Sequence, residues 1–146
     1  MPGLQLDDLV SRFLAGTVPR EEWTHAAHLA VGAWHVHRYG AEAAIERLRF
    51  SIRALNDRHG TPNSDTSGYH ETITIAYVRL IDQFLSIGVP GGAVETRLPD
   101  LLSGPLADRA LLFRFWSRDV LMAPSARARW TPPNLCSLAL ARGSTA

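Results

Sequence analysis

A chain of 146 residues has room for one domain with a proper core and too little for two. Its composition, 46% hydrophobic and 20% charged, is globular rather than disordered, and a formal charge of +1 exerts no pull toward nucleic acid or anionic lipid. Every basic residue is an arginine, which removes Schiff-base chemistry, and the single cysteine, Cys136, excludes an internal disulfide and any multi-cysteine zinc site.

Leu4 to Leu14 reads as a first helix, with Leu6, Leu9, Val10, Phe13 and Leu14 on one side and Gly16 as its C-cap. Thr17-Val18-Pro19 is a break. The second helix begins either at Pro19 or at an N-cap Thr24, and Gly40 ends it. Between Glu22 and Arg38 it carries no charge beyond what its histidines hold, so it is expected to run buried through the middle of the molecule. His25, His28, Gly32, His35 and Tyr39 share one stripe of it at helical spacing.

Ala41 to His59 is a third helix, its inner stripe Ala41, Ile45, Leu48, Ile52, Leu55 and His59, with Arg49 among the charges assigned to the solvated face. Gly60 to Gly68 is a loop dense in turn residues. A fourth helix, from about Tyr69 to Ile87, carries Ile73, Tyr77, Leu80 and Phe84 inward, with His70 one turn before Ile73. Pro90-Gly91-Gly92 is a joint. A short helix broken near Pro99 and a better one from Leu106 to Trp116 follow, then short turns and an extended Trp130-Thr-Pro-Pro-Asn segment. Strand-type alternation and internal repeats are absent. The expected fold is all-α: one helical bundle over residues 1–135, four main helices with shorter C-terminal ones, and a flexible tail at 136–146.

Of the six histidines, His25, His28, His35 and His70 fall at inward helical positions, His37 faces away, and His59 sits where a helix dipole favours it. Any one inward imidazole reads as a core group bonded to a carbonyl. An i, i+3 pair reads differently, because it places two imidazoles on one face about 5–6 Å apart at Cβ. His25 and His28 with His70 from a facing helix would make a three-histidine metal site with an open position. All-nitrogen ligation suits copper or zinc, and iron if Glu71 joins. Glu71 in an apolar pocket would have a raised pKa and act as acid or base, with Tyr69 supplying a phenol. Thr74 is placed to bond the His70 ring, and Thr24 to support the first pair.

Trp23-Thr24-His25-x-x-His28-Leu29, Tyr69-His70-Glu71-Thr72-Ile73-Thr74 and Ser125-x-x-x-Arg129-Trp130-x-Pro132-Pro133 resemble a family of small bacterial helical proteins. The resemblance covers most of residues 12 to 135, while Asn134 stands in place of an acidic residue and Cys136 is unusual there. It supports the choice of His25, His28, His70 and Glu71 and implies no activity. Three functions stand open: a metalloenzyme acting on a small organic substrate, a metal-free ligand-binding protein or isomerase built on His70 and Glu71, and an interaction protein with no site. A soluble, cytoplasmic location is the expectation, with neither nucleic acid nor membrane as partner.

Overall fold

A computed structural model describes residues 5–87 and 92–140. Among the described residues seven α-helices follow one another: α1 Leu6–Ala15, α2 His25–Tyr39, α3 Ala41–Arg58, α4 Glu71–Ser86, α5 Leu98–Ser103, α6 Arg118–Leu121 and α7 Pro124–Ala128. Among the described residues there is no strand, and no helix is long and apolar enough to cross a membrane. The all-α expectation holds. Leu4, the first residue of the expected first helix, most of the joint around Pro90 and the end of the tail lie outside the described residues.

Helix α2, uncharged up to Arg38 apart from its histidines, is the centre of the packing, in contact with α1, α3, α4 and α5. Ala30 and Ala33 are fully enclosed, and Leu29, Val31 and Val36 are buried around them. Small side chains let neighbouring backbones approach closely, and at Gly32 an added Cβ would lie 2.9 Å from Ile81 Cδ1 of α4. Thr24 is the N-cap, its hydroxyl accepting the Ala27 N–H at 3.1 Å. That fixes the helix start at His25, and Pro19 instead precedes a single 3-10 turn, Arg20–Glu22.

The remaining elements show where local pattern misleads. α3 buries Ile45, Leu48 and Leu55 of its expected stripe together with Ala44, while Ala41, Ile52 and His59 stay half-buried. α4 starts two residues later than expected, because His70 is its N-cap. Its buried positions include Thr72, Ile75 and Ala76, and the helix packs against α7. Thr72 Oγ1 donates to the Arg129 carbonyl at 2.9 Å and accepts the Thr131 N–H at 3.0 Å, clasping that segment to the helix. The span expected to break near Pro99 does divide there, a 3-10 turn Val94–Arg97 giving way to α5, which Pro99 opens as suits a residue needing no helical N–H partner.

The helix expected over Leu106 to Trp116 is not formed. Two 3-10 turns, Pro105–Ala107 and Leu111–Arg114, stand there, separated where Asp108 Oδ1 accepts the Ala110 N–H at 2.9 Å and diverts the backbone into a turn. The tail is also not free along its described part. Gln83 on α4 donates to the Leu138 carbonyl at 3.3 Å and accepts the Leu140 N–H at 2.8 Å, and both leucines pack on the core.

Candidate functional site

A cavity of about 400 Å³ opens between α2, α3 and α4. Leu29, Leu48, Ile52 and Ile81 make most of its wall apolar, while His25, His28, Thr74, Tyr77 and Arg109 bring polar groups to it. The first turn of α2 thus delivers both members of the His-x-x-His pair to one cavity, as their shared helix face requires.

Each imidazole of the pair is oriented by a backbone carbonyl. His25 Nε2 lies 2.8 Å from the Leu106 carbonyl oxygen, and His28 Nδ1 lies 2.8 Å from that of Thr24. A carbonyl only accepts, so these nitrogens carry the protons, and in the neutral ring the opposite nitrogen is bare. His25 therefore keeps Nδ1, and His28 keeps Nε2, as acceptors. His28 is exposed, and among the described residues no buried side-chain nitrogen or oxygen lacks a partner, so neither bare nitrogen is sealed in the core.

The His28 ring sits against Trp23 with centroids 3.9 Å apart, and the Tyr77 ring meets His25 edge-on at 5.3 Å. The protein crowded round His28 pushes its pKa down to about 4, against the pull of the Thr24 carbonyl and aided by the charges of His25 and Arg109. The residue reaches the surface at the cavity mouth, where solvent limits that push; the neutral form prevails at pH 7 either way. Burial and the nearby Asp108 push the Tyr77 phenol up to about 12, with Arg109 opposing, so it stays a proton donor.

His70 does not join this pair. Its Nδ1 accepts the Ile73 N–H at 3.1 Å, and its Nε2 donates to the Leu121 carbonyl at 2.8 Å. Both ring nitrogens are spent on holding the start of α4 against α6, and the ring does not line the cavity. Thr74, expected to bond that ring, lines the cavity instead and sits beside the Tyr69 phenol. Among the described residues no three of histidine, cysteine, aspartate or glutamate are grouped to hold a metal ion, so the three-histidine set is not assembled.

Glu71 and Tyr69 belong to a different place. Arg49 holds the Glu71 carboxylate through two hydrogen bonds, and the Tyr69 hydroxyl donates to Glu71 Oε1 at 2.6 Å. Burial pushes the Glu71 carboxyl up, but the Arg49 and Tyr69 bonds outweigh it and hold it below its usual range. The expectation of a raised pKa is thus reversed, and Arg49 is not an idle charge on a solvated face. Burial and the Glu71 bond hold the Tyr69 phenol well above its usual range.

Two of the other histidines are structural. His35 is buried, with Nδ1 bonded to the Val31 carbonyl at 2.8 Å and its ring edge-on to Phe13. His59 does more than suit a helix dipole, since its Nε2 reaches the Val18 carbonyl at 2.7 Å and ties the α1–α2 connection to the end of α3. His37 is exposed, as expected.

Tyr77 and Arg109 are the site residues that sequence reasoning missed. Tyr77 had a signal, being on the inner stripe of α4 one turn after Thr74. Arg109 had none, because it comes from the turn that replaced an expected helix. Comparison with protein-family profiles, curated proteins and solved structures finds no match for this chain.

Proposed function

We propose that the chain binds a small organic molecule in the cavity between α2, α3 and α4 and acts on it by proton transfer. The apolar body of the ligand lies against Leu29, Leu48, Ile52 and Ile81, and its polar or anionic end faces His25, His28, Tyr77 and Arg109. The observation behind this reading is the pair of carbonyl-anchored imidazoles, each with one bare nitrogen, on a cavity within the roughly 300–1,000 Å³ usual for small-molecule sites. A neutral, oriented imidazole is a proton acceptor, and the protonated Tyr77 phenol is the matching donor. An isomerisation or similar proton shift is the chemistry such a couple supports. This keeps an acid–base pocket and moves it from His70 and Glu71 to His25, His28 and Tyr77.

Calorimetric titration with phenylacetate and with the uncharged phenylacetamide tests the reading. Both should bind, the acid more tightly through Arg109, and His28→Ala should weaken both. Failure of either probe to bind, or binding indifferent to His28→Ala, would remove the cavity as the site.

One observation favours a second reading, a metal-assisted enzyme. Ligating histidines characteristically donate their other N–H to a carbonyl or carboxylate, as His25 and His28 do here. These two would hold zinc or copper, with Tyr77 or the substrate completing the set, and the ion would supply a Lewis acid. Iron is less well served, because the carboxylate it favours, Glu71, is committed to Arg49. Zinc and copper uptake should then be lost in His25→Ala and His28→Ala and kept in His70→Ala. Equal loss in all three would restore the three-histidine set.

A further inference from the structure

A second cavity, of about 270 Å³, is walled by Arg49, Arg53, Asn63, Asp65, Glu71 and Arg127 among others. Its charges do not cancel. Arg49 and Glu71 satisfy one another through their paired bonds. Among the described residues neither Arg53 nor Arg127 is within ion-pair distance of a carboxylate; Arg53 lies over the Tyr69 ring at 5.9 Å, its charge felt by Glu71 without a direct bond.

Arg127 is the more telling of the two. It is half-buried, and only its Nη1 is used, donating to the carbonyls of Gly68 at 2.8 Å and Tyr69 at 3.5 Å. Burial alone lowers its pKa, the mark of a cation that has lost water without gaining an anion. Carbonyl bonds orient the guanidinium and leave its remaining N–H groups for something else.

The rim is built in advance. Asn63 Oδ1 accepts from Asn56 Nδ2 and from the Tyr69 N–H, each at 3.0 Å, while its Nδ2 donates to the Arg53 carbonyl at 3.1 Å. Gly68 has φ +78°, and a Cβ there would lie 2.4 Å from the Pro62 carbonyl oxygen, so the loop closes tightly against itself. A loop fixed this firmly holds the Arg127 guanidinium through the Gly68 and Tyr69 carbonyls, Arg53 lines the same cavity from α3, and planar guanidinium forks match oxyanions.

We propose that this cavity is a binding site for a small molecule bearing an oxyanion, a phosphate or a carboxylate, held between Arg53 and Arg127. It is separate from the cavity of the His25–His28 pair and does not depend on that reading. The volume admits more than the anion itself, so the natural ligand carries a small polar body that meets Asn63 and the loop beside it.

Isothermal titration calorimetry of the full chain at low ionic strength, with inorganic phosphate and with citrate as probes, tests this. At least one probe should bind saturably and weaken as salt is added; which of the two binds more tightly tells a phosphate site from a carboxylate site. Arg53→Gln and Arg127→Lys should each weaken binding about tenfold or more, the lysine because a point charge replaces a fork. Asp65→Asn should tighten it, and Arg114→Gln, an exposed arginine elsewhere, should leave it unchanged. If Arg127→Lys fails to fold, the exposed Arg53 still decides the matter. No binding of either probe up to about 10 mM, or binding lost in Arg109→Gln but kept in Arg53→Gln, would overturn the assignment.

Discussion

Arg49 grips Glu71 through two parallel hydrogen bonds, Nε to Oε1 at 3.0 Å and Nη2 to Oε2 at 2.6 Å, joining the middle of α3 to the first turn of α4. The carboxylate side chain is only 13% exposed while the guanidinium is 41% exposed, so the carboxylate is the partner that suffers when the pair is broken. Arg49→Ala leaves Glu71 with the Tyr69 hydroxyl alone. The expected cost is about 1–3 kcal/mol, read as a lower urea midpoint with unchanged slope. Glu71→Gln should cost less, because it retains a hydrogen-bonding oxygen without stranding a charge. Neither change should alter phenylacetate binding in the other cavity.

His70 and His28 separate by experiment. His70→Ala removes an N-cap and leaves the Leu121 carbonyl unmet, so stability should fall by about 1–3 kcal/mol. His70→Asn, which caps well, should recover part of that loss in thermal denaturation. His28→Ala, at the cavity mouth, should change stability less and ligand affinity more. The opposite ranking in both assays would mean that His70 is a site residue after all.

Acid should destabilise the fold before its carboxylates titrate. Burial holds His28, His35 and His70 below their ordinary pKa. In the unfolded chain each takes up its proton near 6.5, while in the folded chain each does so only at lower pH. Between those values the unfolded form binds more protons, so stability is full above about 6.5 and is lost as pH falls. Urea midpoints measured across this range should decline steadily, and His70→Asn should flatten the decline. A midpoint unchanged between about pH 7 and pH 5 would show that these rings are not held neutral.

Gly32 is a lever on the cavity itself. An added Cβ meets Ile81 Cδ1, the far end of a flexible side chain that also lines the cavity, so the methyl can yield into open space. Replacing glycine within a helix gains up to about 1 kcal/mol, which offsets that shift. Gly32→Ala should leave the melting temperature within a few degrees of the parent and weaken phenylacetate binding. A larger side chain, Gly32→Leu, should abolish binding and cost stability by overpacking.

Sequence alone determined that the chain is all-helical, that α2 is buried, and that His25 and His28 share a face. Those statements depend on spacing along one helix, and helical geometry converts spacing into direction without reference to the rest of the molecule. The partner of each polar group was decided only by tertiary structure. His70 bonds a carbonyl 51 positions away, and Glu71 meets Arg49 across 22 positions. His70 points inward as its place on the α4 stripe predicts, but inward holds several destinations. The packing of α3, α6 and α7 chose which carbonyl and which guanidinium stood there. The turn at Asp108 is a smaller instance of the same limit. Leu106 to Trp116 had a helical pattern, yet a single side-chain acceptor at 2.9 Å redirected the backbone and brought Arg109 to the cavity. A proposed site that spans elements depends on such choices, and so the pair on one helix stayed together while the third histidine did not join it.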